Sequence, residues 1–101
     1  MSRRETGRNG FKAKLVSRLK IMFPGCMIFS LDANATQGIP DLLVLYRDKW
    51  AALECKAYAS APRRPNQEYY VDILNDMSFS SFVYPENEEE VLHELQSAFE
   101  H

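Results

Sequence analysis

At 101 residues, 46% of them hydrophobic, the chain is long enough for one domain with its own core and too short for two. That apolar content and a net charge of only −2 exclude a highly charged disordered chain. No apolar run reaches the roughly 18 residues needed to span a membrane. The opening MSRRETGRNG is basic but is followed by no signal-peptide apolar region, so an intracellular, cytoplasmic protein with no membrane partner is expected.

The small net charge hides an asymmetry. Residues 1–20 hold seven Lys/Arg against one Glu, whereas residues 86–101 hold six Glu and no Lys or Arg. Either these are two solvated faces, or a basic N-terminal arm meets phosphates while the acidic end is turned away. Cys26 and Cys55 lie in apolar runs without CxxC spacing and read as reduced core cysteines. Two histidines, His93 and His101, are too few and too C-terminal for a histidine-based metal site.

Residues 1–8 read as a flexible basic arm. The recurrence of Phe11, Leu15, Leu19 and Met22 predicts an amphipathic helix over 9–23, stopped by Pro24-Gly25. CMIFSL, 26–31, is a short strand, and DANATQGIP, 32–40, a polar loop. DLLVLYR, 41–47, and WAALECKA, 50–57, are apolar strands joined by a tight Asp48-Lys49 turn. A loop with two arginines, 58–66, leads to a helix over 66–77 with Tyr70, Ile73, Leu74 and Met77 as its apolar stripe and Asn66 as its cap. SSFVYP, 80–85, is a fourth strand. A third helix follows over 87–99, with Glu88, Glu89 and Glu90 in its first turn, where the macrodipole favours negative charge. The expected fold is a single α/β domain, order α-β-β-β-α-β-α, with a mixed sheet flanked by helices.

Residues 37–56, QGIPDLLVLYRDKWAALECK, carry the chemistry. If Asp48-Lys49 is the turn, Arg47 faces Trp50, Leu43 faces Glu54 and Asp41 faces Lys56. Alternation then puts Asp41, Glu54 and Lys56 on one face of the hairpin, with Leu53 and Cys55 on the other, in the core. The convergence depends on register, because a one-residue slip flips every side chain of a strand. Two adjacent carboxylates repel unless a cation intervenes. Mg²⁺ or Mn²⁺ needs only one or two carboxylates beside substrate phosphate and its own waters. Such a metal activates water against a phosphodiester, and Lys56 could orient that water or neutralise a phosphoryl oxygen. The plain alternative is a solvated Asp and a cross-strand ion pair.

Pro40-Asp41 and Glu54-Cys55-Lys56 resemble the active-site hairpin of the PD-(D/E)xK nuclease superfamily. The element order is similar to its restriction-endonuclease-like core. The Gly-Ile-Pro-Asp form, the short length and Gln67 at the start of a helix resemble its VRR-NUC branch, whose small stand-alone phage and bacterial members are similar to Holliday-junction resolvases. The resemblance implies a bacterial or phage-infected setting. It makes Asp41, Glu54 and the backbone carbonyl of Cys55 metal ligands, Lys56 the catalytic lysine, and Gln67 a neighbour that bonds water or phosphate. Many relatives carry an acidic residue on the first helix that completes the metal site. The helix over 9–23 has none, which leaves Glu5 or Asp32 as candidates.

Candidate nucleic-acid contacts are Lys12, Lys14 and Arg18 on the first helix and Arg63 and Arg64 in the loop after the second hairpin strand. Trp50, Tyr69 and Tyr70 are either stacking platforms for bases or core and dimer contacts. The expectation is a metal-dependent DNA endonuclease, acting as a homodimer on duplex or branched DNA. The rival is a nucleic-acid-binding module without catalysis, built on the basic helix and the Arg63/Arg64 loop.

Overall fold

Leu15 and Leu19 stand one turn apart on the first helix, and both are fully buried. Their stripe, extended by the half-buried Phe11 and Met22, sets helix α1 down on a sheet. A computed structural model of the chain describes residues 7–100. Within them α1 spans Arg8–Met22 and is followed by β1 (Met27–Ser30), β2 (Leu42–Tyr46) and β3 (Lys49–Cys55). Next come α2 (Gln67–Met77), β4 (Phe79–Val83) and α3 (Glu88–Glu100). The order is the expected α-β-β-β-α-β-α. Of the arm expected over 1–8, residues 1–6 lie outside the described part, and Arg8 opens α1 instead.

The sheet runs β1-β2-β3-β4. The first two pairs are antiparallel and β3-β4 is parallel, with α2 as the crossover. Residues 51–56 are all buried, as suits a central strand covered on both sides. On one face Leu42, Val44, Tyr46, Leu53, Cys55 and Val83 pack against α1 and α3. Phe23, Tyr46 and Phe99 close this core, with ring centroids 5.0–5.7 Å apart. The opposite face carries Glu54 and receives α2 through Val71 and Gln67.

The hairpin register differs from expectation. Tyr46 pairs with Lys49, so the turn is Arg47-Asp48 rather than Asp48-Lys49. Arg47 takes a left-handed backbone (φ 58°) and lays its guanidinium 4.8 Å from the Tyr46 ring centroid. Sliding a two-residue turn by one position changes each partner by two residues, so every side chain keeps its face. Continuing the ladder Leu42–Leu53 by one step sets Asp41 opposite Glu54, not Lys56. The two carboxylates are thereby brought closer than the sequence reading had them.

Candidate active site

Pro40 is buried and delivers Asp41 to the head of β2, where its carbonyl accepts the Leu31 N–H at 2.7 Å. One carboxylate oxygen, Oδ2, accepts the backbone N–H of Cys55 at 3.1 Å. The other, Oδ1, accepts the Arg8 guanidinium. Arg8 Nε also donates to the Cys55 carbonyl oxygen at 3.1 Å, so that carbonyl is turned toward Arg8 while the Cys55 side chain is buried in the core.

Glu54 follows from the same strand alternation and is only 3% exposed. Burial, and then the Asp41 charge, push its carboxyl up to about 7, against the pull of Lys56 and Arg8. Lys56 is held just past the end of β3 by its N–H to the Val83 carbonyl, 2.9 Å. Its ammonium donates to Gln67 Oε1 at 2.7 Å and Pro62 O at 3.1 Å, and stands 3.9 Å from Glu54 Oε2. Burial lowers its pKa, and Glu54 opposes that shift.

Gln67, the first residue of α2, is the link. Its Nε2 donates to Glu54 at 3.2 Å, and its Oε1 accepts from Lys56 and from the Arg64 N–H at 2.8 Å. Both polar atoms of its amide are used, which fixes the side chains of Glu54 and Lys56. A cleft of about 520 Å³ opens over the cluster, lined among others by Arg8, Ile39, Asp41, Glu54, Lys56, Tyr58, Arg64 and Gln67. A second, shallower depression of about 560 Å³ runs along α1 past Lys14, Arg18 and Ile21 and carries no carboxylate.

Other expected site residues fall elsewhere. Arg18 binds Glu88 at 2.9 Å and Glu89 at 2.6 and 2.8 Å, so the acidic end meets the basic helix instead of turning away. Arg63 lies 3.9 Å over the Phe82 ring and pairs with Glu68 at 3.4 Å; Arg64, not Arg63, lines the cleft. Lys12 is half-buried on α1 and does not line the cleft, and Lys14 is exposed beside the shallow depression. Asp32 bonds the Asn34 N–H at 2.8 Å within its own loop and does not line the cleft. Glu5 lies outside the described residues. Asn66 is left-handed (φ 69°) and makes no side-chain cap to α2. Trp50, Tyr69 and Tyr70 do not line the cleft. Both cysteines are free thiols, and burial pushes Cys55 up to about 12.

Arg8 is the site residue the sequence reading missed. A signal was present: Arg8 stands seven residues before Leu15 and eleven before Leu19, on the inward stripe of α1, where a charge needs a partner.

Among the described residues no group of three or more His, Cys, Asp or Glu side chains is placed to hold a metal. The donors that do converge are two carboxylates and one backbone carbonyl. These hard oxygens suit Mg²⁺ or Mn²⁺, ions that take their remaining ligands from water and substrate. The guanidinium between Asp41 and the Cys55 carbonyl is itself a positive group seated on two of these donors. No family model matches the chain, and no curated protein or solved structure matches it. No helix among the described residues is long and apolar enough to cross a membrane.

Proposed function

We propose that the chain is a divalent-metal-dependent DNA endonuclease of the PD-(D/E)xK kind. The observation that carries this reading is the convergence of Asp41, Glu54 and Lys56 on one open cleft, with the Cys55 backbone bonded to Asp41 and Arg8 beside them. A solvated cross-strand ion pair would not explain a Glu that is 3% exposed, nor a glutamine spending both ends of its amide on Glu54 and Lys56.

Asp41, Glu54 and the Cys55 carbonyl would hold Mg²⁺ or Mn²⁺. Bound there, the metal would supply a Lewis acid for phosphoryl oxygen and lower the pKa of a coordinated water. Lys56, aimed by Gln67 and Pro62, donates a hydrogen bond where charge builds on a non-bridging oxygen. Gln67 keeps Lys56 and Glu54 at a fixed separation, so little reorganisation is needed as the phosphate reacts. Arg64 at the rim offers a phosphate contact that positions DNA without reading sequence. A domain of this size has a small footprint, and a homodimer would let two clefts act on paired strands or on a four-way junction.

The rival reading, a nucleic-acid-binding module without catalysis, draws less support, because Arg18 and Arg63 already have acidic partners. Cleavage of labelled four-way junction, flap and linear duplex DNA with Mg²⁺ or Mn²⁺ separates the two. Asp41→Ala, Glu54→Ala and Lys56→Ala are each expected to abolish cutting while far-UV circular dichroism stays native. Full activity in any of the three would sink the assignment. Binding with no cutting in the unmutated chain would transfer the case to the rival.

A further inference from the structure

Arg8 begins α1, and the local chemistry there is unfavourable to it. The first turn of α1 holds no acidic residue, and Gly7 supplies no side-chain cap. A cation at a helix N-terminus opposes the macrodipole. The compensation is long-range: the guanidinium binds Asp41 Oδ1 and donates through Nε to the Cys55 carbonyl at 3.1 Å, residues 33 and 47 positions away. Asp41 Oδ2 is meanwhile engaged by the Cys55 N–H at 3.1 Å. The oxygens Arg8 holds are thus two of those a metal on this side of the cleft would use.

A guanidinium in hydrogen-bond contact with both acceptors and a cation at the ~2.1 Å ligand distance of Mg²⁺ cannot share them. We propose that Arg8 is the resident cation of this site: it neutralises Asp41 in the metal-free protein, competes directly with the divalent metal, and is released to the cleft rim when the metal binds. This rests on the metal-site reading above. It adds that metal affinity is set partly by a residue that is not a ligand. The Arg8 side chain is 41% exposed, so it has solvent to move into, and release leaves it tethered to α1 beside the cleft. Because the same two hydrogen bonds tie the first turn of α1 to the hairpin, metal binding should loosen that turn.

Isothermal titration of the full chain with Mn²⁺ tests this at about pH 8, where Glu54, with a pKa of about 7, is ionised. Arg8→Gln is expected to bind Mn²⁺ at least about fivefold more tightly than the unmutated chain, the low end of ordinary site coupling. Arg8→Lys keeps the charge but not the two-acceptor fork, so it should fall between them and serves if Arg8→Gln folds poorly. Mn²⁺ should also speed amide exchange over residues 8–12 of the unmutated chain, a readout independent of catalysis. Equal Mn²⁺ affinity in all three, with binding lost in Asp41→Ala, would overturn the competition while leaving the metal site standing. No Mn²⁺ binding in any of them would overturn both.

Discussion

Burial and the neighbouring Asp41 carboxylate hold the Glu54 carboxyl at about 7, above its ordinary 4.5. In the folded metal-free protein Glu54 therefore keeps its proton over a range in which the unfolded chain has lost it. Its contribution to stability is fully present below about 4.5 and is lost as pH rises through about 7. Metal binding has the opposite slope, because the ligand must be the carboxylate. The Mn²⁺-induced rise in melting temperature should be small at about pH 6 and approach its full size by about pH 8, as Glu54 ionises. Glu54→Gln should remove both the rise and its pH dependence. Scanning calorimetry at several pH values checks this, and a shift equally large at both ends would count against Glu54 as a ligand. The convergence of Asp41, Glu54 and Lys56 was legible in the sequence because strand alternation constrains them locally, whereas Gln67 was expected there only through the family resemblance. Arg8 was legible only in part: its place on the inward stripe of α1 calls for a partner, but the partners lie 33 and 47 residues away and no local pattern names them.

Among the elements, the two loops that carry Asp41 and Gln67 meet at Gly38. Its φ is +90°, and a Cβ there would lie 2.6 Å from Asn66 Cβ and 2.8 Å from both the Asn66 carbonyl carbon and Pro65 O. Gly38→Ala would therefore force backbone apart and separate the strand head bearing Asp41 from the start of α2. The expected cost is more than about 1 kcal/mol, with weaker Mn²⁺ binding. Gly25 is the control: its φ is +88° but nothing lies within 4 Å of a Cβ, so Gly25→Ala reports the dihedral penalty alone. Urea unfolding of both compares them, and equal losses would remove the argument from packing. The seven elements were readable from periodicity and from Pro-Gly breakers. The turn position was less so, because Asp48-Lys49 and Arg47-Asp48 are both acceptable two-residue turns and preserve the same faces. The Arg18 clamp on Glu88 and Glu89 joins segments 70 residues apart, and local pattern holds no information about that distance.

At the scale of the whole molecule, the sheet is covered unequally. The core face is roofed by α1 and α3, and on the other face α2 packs mainly over β3 and β4. Alternation places Met27 and Phe29 of β1 and Leu43 and Leu45 of β2 on this second face, beside the cleft. Met27 is 56% exposed, Phe29 44% and, on α2, Met77 69%. None of these side chains is charged, so this half of the face does not suit a polyanion. A second copy of the chain suits it better, since an uncharged apolar patch meets its own copy without like-charge repulsion. A stable dimer of ordinary size buries about 800 Å² on each partner, and β1 offers an open strand edge beside the patch as well. A homodimer of the kind proposed above would use this patch, and that is open to test. Sedimentation velocity should show a dimer at micromolar concentration, and Leu45→Lys or Phe29→Asp should give a folded monomer, because either puts a charge at the centre of the patch. Nuclease action on paired strands should fall more steeply in these variants than nicking of one strand, since one cleft remains intact in each monomer. A chain that sediments as a monomer before mutation would remove the dimer from the proposed function.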